Sequence, residues 1–141
     1  MDTLKGYTID QLELGQSASF TKTVTEGDCY NYAGVSGDYN PAHINESYAE
    51  KTFFKKRIAH GMLSAGFISA VLGTKLPGPG TIYMGQELRF TKPVYFGDTI
   101  TATCTVEEII KEKNRVILTT ICTNQNGDTV IEGKATVLAP K

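Results

Sequence analysis

Several things are scarce in this 141-residue chain, and each scarcity closes off a class of protein. Cysteine occurs three times, at Cys29, Cys104 and Cys122, an odd number without the close spacing of a zinc site or redox pair. These residues read as reduced, small and apolar. Charge of one sign is also lacking: fourteen Lys and Arg stand against fifteen Asp and Glu, for a formal charge of -1. No general field attracts nucleic acid or an anionic membrane, so a polyanionic ligand must meet a local basic patch. Long hydrophobic runs are missing too. The opening MDTLKGYTIDQLELG has no apolar stretch that could serve as a signal peptide, and nothing approaches a membrane span. The expected location is the cytoplasm, with neither nucleic acid nor membrane as a partner. Linkers, repeats and low-complexity segments are absent as well, so residues 1–141 are expected to form one domain. At this length folding buries roughly two thirds of the surface of the unfolded chain, enough to need no staple or metal.

What is present is a pattern of one apolar helix and several strands. From Ala18 to Val24 the chain alternates imperfectly, and Thr25 stands three residues before Asp28 as in a capping box. A strand entering a short helix is predicted, with Tyr30 and Ala33 facing inward and an end near Gly34. The polar loop Ser36-Gly37-Asp38-Tyr39-Asn40-Pro41 follows, in which Pro41 biases Asn40 away from helical dihedrals. A second short helix is predicted around Glu46 to Glu50. The basic connection Lys55-Lys56-Arg57 then leads into Ile58 to Gly73. There Met62, Leu63, Ala65, Phe67, Ile68, Ala70, Val71 and Leu72 spread around most of a helical wheel, and Gly73 is placed to end it. Such a helix must be surrounded.

Strands predicted at Ile82 to Phe90, Thr99 to Glu107, Arg115 to Asn124 and Thr129 to Leu138 supply the surroundings. The second is the clearest, because Ile100, Ala102, Cys104 and Val106 alternate with Thr99, Thr101, Thr103 and Thr105. Gly97-Asp98 and Asn126-Gly127 mark turns. One buried helix and a meander of antiparallel strands imply an α+β fold, an antiparallel sheet curled around a long central helix. Such a sheet leaves an edge that a second copy could extend, so a homodimer is expected.

Histidine is the other scarce residue: the chain has two, and His43 follows Asp38 by five positions in a loop held by Gly37 and Pro41. A base is thereby placed beside a carboxylate, and two titratable groups sharing one water can both withdraw and return a proton. The bland alternative is an Asx-turn, in which the Asp simply bonds nearby backbone amides.

The string YAGVSGDYNPAHINESYA, Tyr32 to Ala49, resembles the hydratase-2 signature of the MaoC-like dehydratase family: an aromatic, small residues, Gly-Asp-x-Asn-Pro, an aliphatic, then His. The aliphatic position is Ala42 here, where the family often has a larger residue. The resemblance continues through IAHGMLSAGFISAVLG (Ile58 to Gly73) and LPGPGTIYMGQELRFTKPVYFGD (Leu76 to Asp98) and covers most of the chain from about Thr23 onward.

This resemblance implies a hot-dog fold and (R)-specific hydration of trans-2-enoyl-CoA to (R)-3-hydroxyacyl-CoA, on short-chain substrates. No cofactor is expected, because coenzyme A is part of the acyl-CoA thioester substrate, and no metal. It implies that Asp38 and His43 hold the attacking water, acting as a pair that titrates together. It also makes Gly61, at the start of the apolar helix, the backbone donor to the thioester oxygen. Losing one such donor typically raises the barrier by about 3 to 4 kcal/mol.

Asn40 is expected to fix the loop that orients Asp38 and is grouped with the substrate-binding residues Ser69, Leu72 and Val137. Core packing explains Leu72 and Val137 equally well, and Ser69 could satisfy itself on the preceding helical turn. His60 reads as a capping or packing residue, with a direct catalytic role as the alternative. Lys55, Lys56, Arg57 and Lys92 are candidates for the phosphates of coenzyme A, although a charge run is commonly a solvated face. The competing readings are an acyl-CoA thioesterase, a dehydratase acting on acyl-carrier-protein thioesters, and a non-catalytic acyl-CoA-binding module.

Overall fold

The computed structural model describes residues 4–141. Strand β1 (Ser17–Thr23) leads into helix α1 (Glu26–Ser36), and two single-turn helices, α2 (Pro41–Ile44) and α3 (Glu46–Ala49), follow. The long helix α4 (Gly61–Thr74) comes next, and then β2 (Ile82–Phe90), β3 (Thr99–Ile110), β4 (Arg115–Thr123) and β5 (Thr129–Leu138). The strands form one antiparallel sheet in the order β1-β3-β4-β5-β2, and α4 touches all five.

The period-two reading of β3 holds. Ile100, Ala102, Cys104 and Val106 are buried, while the intervening threonines are half-buried. Their faces meet Phe67, Ile68, Val71 and Leu72 of α4 in one core, to which β4 adds Val116, Leu118 and Cys122. Burial in this core pushes the Cys104 and Cys122 thiols up to about 12, so neither carries a thiolate at neutral pH. The β4–β5 hairpin turns at Asn126-Gly127 with Gly127 at φ 78°, a left-handed conformation that glycine adopts without steric cost.

Local signals fix several boundaries and move others. Thr25 and Asp28 form the expected capping box, each side chain accepting from the other's backbone N–H. Helix α1 does not stop at Gly34. It runs to Ser36, because Gly37 takes a left-handed φ of 81° and donates its N–H to Ala33 O. Ala33 is buried as predicted, but Tyr30 faces outward: its hydroxyl donates to Glu26 and accepts from Arg57, bonds that a place in the core would forbid. Helix α2 was not foreseen. Pro41 at its first turn and Asn40 as its N-cap, accepting from Ala42 N at 3.0 Å, account for it. Strand β3 passes Glu107 to reach Ile110 through an irregularity between Val106 and Glu108.

Helix α4 departs from the sequence reading in two respects. It continues past Gly73 to Thr74, and it is not surrounded: Met62, Gly66, Ser69 and Gly73 form an exposed stripe. Three of these four residues are small, so little apolar area is left on that side to require covering. Among the described residues, no helix is long and apolar enough to cross a membrane.

Candidate active site

The segment between α1 and α4 contains Asp38, His43 and His60, and several backbone bonds hold it in place. Ile58 N donates to Ala42 O (3.2 Å) and Ala59 N to Val94 O (2.7 Å), stitching the approach to α4 onto both the loop and the chain before β3. Asp38 is set by its neighbours. Its backbone N donates to Ser36 Oγ at 3.1 Å, and its Oδ1 accepts from Asn40 N at 3.2 Å. The Asx-turn is therefore real and uses one carboxylate oxygen. Asn40 accordingly serves the loop, and it does not line the cavity described below.

His43, on α2, is 8% exposed, and its Nδ1 lies 2.8 Å from Ile58 O. A carbonyl can only accept, so the neutral ring carries its proton on Nδ1 and keeps Nε2 as the basic nitrogen. Burial lowers the His43 pKa from its ordinary value, and proximity to His60 adds to this. The bond to Ile58 O and the nearby Asp38 act in the opposite sense.

His60 is 2% exposed and stacks on His43, with ring centroids 3.9 Å apart and 33° between planes. Asp38, His43 and His60 each offer a nitrogen or carboxylate oxygen within 4.8 Å of the others. The acid and the imidazole are thus close enough to share a water. The three donors also have the composition of a metal site. Of the four ring nitrogens, His43 Nδ1 and His60 Nε2 already face backbone carbonyls, which leaves one nitrogen on each ring for another partner.

These groups line a cavity of about 540 Å³. Its walls run from the exposed Phe53, Met62 and Phe90 to the buried Ser64, Val130 and Ile131. Gly61 lies on this wall as the first residue of α4, so its N–H has no acceptor inside the helix. A β-carbon at Gly61 would stand 2.6 Å from Phe90 Cε1 and 2.7 Å from Cδ1, so side-chain-free backbone is what fits there.

The cavity does not include Ser69, Leu72 or Val137. Leu72 and Val137 are buried in the core, and Ser69 lies on the exposed stripe of α4. The polar residue of α4 that does reach the cavity is Ser64, one turn into the helix. Its hydroxyl is buried without a protein hydrogen-bond partner.

The four basic candidates also separate. The Arg57 guanidinium donates to Glu26 (2.7 Å), Glu46 (2.9 Å) and the Tyr30 hydroxyl (2.9 Å), so its fork is occupied in tying α1 to α3. Lys56 Nζ lies 4.5 Å from the centre of the Tyr95 ring. Lys55 is exposed and away from the cavity walls. Lys92 alone of the four lines the cavity, with Asp128 at 3.4 Å.

Residues 11–126 match the family model described as the MaoC like domain. The chain belongs to the MaoC-like family. Among its MaoC-like relatives is an (R)-specific enoyl-CoA hydratase of Rhodospirillum rubrum, 58% identical over 99% of this chain and 96% of the relative. The unliganded R-hydratase PhaJ1 of Pseudomonas aeruginosa superposes with a TM-score of 0.91 at 48% identity, covering 96% of this chain and 87% of that one. The Aeromonas caviae (R)-hydratase involved in PHA biosynthesis gives a TM-score of 0.89 at 40% identity, over 92% and 98% of the two chains. The MaoC-like fold seen here, a five-stranded antiparallel sheet curled on α4, is the hot-dog fold of these hydratases.

Proposed function

We propose that the protein is an (R)-specific enoyl-CoA hydratase, a hydro-lyase that adds water reversibly to trans-2-enoyl-CoA to give (R)-3-hydroxyacyl-CoA. The observation that carries this reading is the placement of an Asp38 carboxylate oxygen and a ring nitrogen of the buried His43 within 4.8 Å of each other on one cavity wall. Water held by the two loses a proton to the pair as its oxygen bonds to C3 of the conjugated thioester. The C2–C3 double bond opens toward the carbonyl, and negative charge gathers on the thioester oxygen. The Gly61 N–H, at the positive end of α4, stabilises that charge. The pair then returns a proton to C2, so one water is consumed and no redox partner enters. Dehydration runs the same steps backwards.

Short acyl chains as substrates, catalysis without a cofactor, action as a homodimer and a cytoplasmic location are further parts of this proposal. The high similarity to hydratases over nearly the whole chain supports the reaction. The exposed apolar residues of edge strand β2 (Ile82, Tyr83, Met84 and Phe90) support the dimer. The test is incubation with crotonyl-CoA, following loss of the conjugated absorbance, release of free thiol and the configuration of the product. Formation of (R)-3-hydroxybutyryl-CoA without thiol is the expected result. Thiol release without hydration would support a thioesterase instead, and neither change would support an acyl-CoA-binding module.

A further inference from the structure

His60 is a buried titratable group beside the acid-base pair that the proposed chemistry leaves unused. It is the N-cap of α4, yet its side chain makes no capping bond. The ring instead turns back toward the loop, and Nε2 lies 2.9 Å from the backbone oxygen of Asp38, twenty-two residues earlier. A carbonyl only accepts, so Nε2 carries the proton and donates it, and Nδ1 keeps its lone pair. That Nδ1 is buried with no partner. An apolar side chain would fill the same space without leaving a polar atom unpaired, so packing alone does not account for an imidazole here. One face of the ring meets His43 at 3.9 Å, and Tyr32 of α1 lies 4.7 Å away at a tilt of 55°. The next residue in the chain is Gly61.

We infer that His60 is a positioning residue of the reaction: its Nε2–H holds the backbone of Asp38 and its ring fixes the plane of His43, setting both against the first N–H of α4. The inference rests on the reading of Asp38 and His43 as the acid-base pair. It assigns His60 no contact with substrate. The cause is geometric, since three groups that must converge on one water and one thioester come from three chain segments, and His60 touches two and precedes the third.

Two variants separate the hydrogen bond from the ring. His60→Phe keeps a ring for His43 and Tyr32 and loses the donor, whereas the Nε2 of Gln in His60→Gln reaches about as far as that of histidine. In the full-length protein with crotonyl-CoA, His60→Phe should lower kcat by about 100-fold, the scale set by small misplacement of catalytic groups. KM should stay within about twofold, and His60→Gln should recover most of the lost rate.

The groups facing His43 are Asp38 and His60. Around them stand Tyr32, the Cys29 thiol near the His60 backbone, and Lys92 on the same cavity. Removing His60 removes one contribution that disfavours imidazolium at His43, so the acid limb of kcat/KM should move to higher pH in both variants. That shift follows from the proximity of the two rings alone, so the role of the Nε2–H is read from the rescue by His60→Gln and from the separation of kcat from KM.

An active wild type with an equally active His60→Phe overturns the positioning role alone, as does equal loss in both variants. A wild type that does not hydrate crotonyl-CoA overturns the catalytic reading itself. Should His60→Phe fail to fold, the ring nitrogen shifts of the 15N-labelled wild type decide: a proton on His60 Nε2 supports the inference, and one on Nδ1 ends it.

Discussion

Asp38 and His43 stand in different surroundings. Asp38 is exposed with one oxygen committed to Asn40 N, while His43 is buried with its Nδ1 committed to Ile58 O. Asp38→Asn and His43→Gln should each lower turnover by about two to four orders of magnitude, the usual range for a group that moves a proton in the transition state. Unfolding midpoints near that of the wild type would show the fold intact, and near-normal turnover in either variant would remove that residue from the mechanism. The pH dependence follows from the direction of the His43 shift. A base must be neutral, and burial disfavours the charged ring, so the neutral form persists below the ordinary histidine value of 6.5. The acid limb of kcat/KM should therefore lie below pH 6.5, as rates with crotonyl-CoA through the acid range would show. A limb above that value would mean that another group controls the proton.

That Asp38 and His43 lie together was legible through the resemblance carried by Gly37 to His43, since spacing alone equally fitted an Asx-turn. His60 was legible only as a histidine at a helix start. Its partner, the Asp38 oxygen, is a backbone atom that no side-chain pattern marks. Ser64 passed unnoticed for a related reason, since in a helix apolar on several sides the sequence does not say which polar position will face a cavity.

Elements bring these residues together, and the junction of α4 with the end of β2 is a close fit. Phe90, the last residue of β2, lies against Gly61 so tightly that a methyl group there would enter its ring. Phe90 is half exposed and ends a strand, so its ring can swing aside. Gly61→Ala should therefore cost little stability but should lower kcat/KM by about tenfold or more, given what an oxyanion donor contributes. Two causes could produce that loss, a displaced Phe90 or a methyl group in the path of the thioester carbonyl. The double variant Gly61→Ala/Phe90→Ala distinguishes them. Loss that persists without the Phe90 ring places the carbonyl at Gly61, and recovery to the level of Phe90→Ala alone would locate the effect in Phe90.

Periodicity made α4 and the strands readable at this scale, with β3 the plainest case. Contacts between elements were not readable in the same way. Tyr30 and Arg57 look from sequence like a core aromatic and a phosphate ligand, yet they meet each other and two glutamates in a clamp whose members lie up to 31 residues apart.

The whole molecule has two open sheet edges of unlike character. Strand β1 is polar along its length, with Ser17, Ser19, Thr21, Lys22 and Thr23, which suits an edge that must stay in water. Strand β2 is nine residues long and leaves Ile82, Tyr83, Met84 and Phe90 exposed, with Met62 of α4 also exposed at the neighbouring cavity rim. Glu87 and Arg89 are exposed between these apolar ends, yet exposed apolar residues on an open edge still invite indiscriminate pairing, and a second copy laid along it would remove that hazard for both. Light scattering should accordingly give a particle of twice 15.3 kDa for the wild type. Met84→Asp, at the irregularity between Tyr83 and Gly85, should shift it toward the monomer by setting like charges near each other across the shared edge. Because Phe90 and Met62 line the cavity while standing in the same exposed set, separation of the copies should also raise KM for crotonyl-CoA. A wild type that is monomeric at micromolar concentration, or a monomeric Met84→Asp variant with unchanged KM, would detach the cavity from the edge and require another partner for β2.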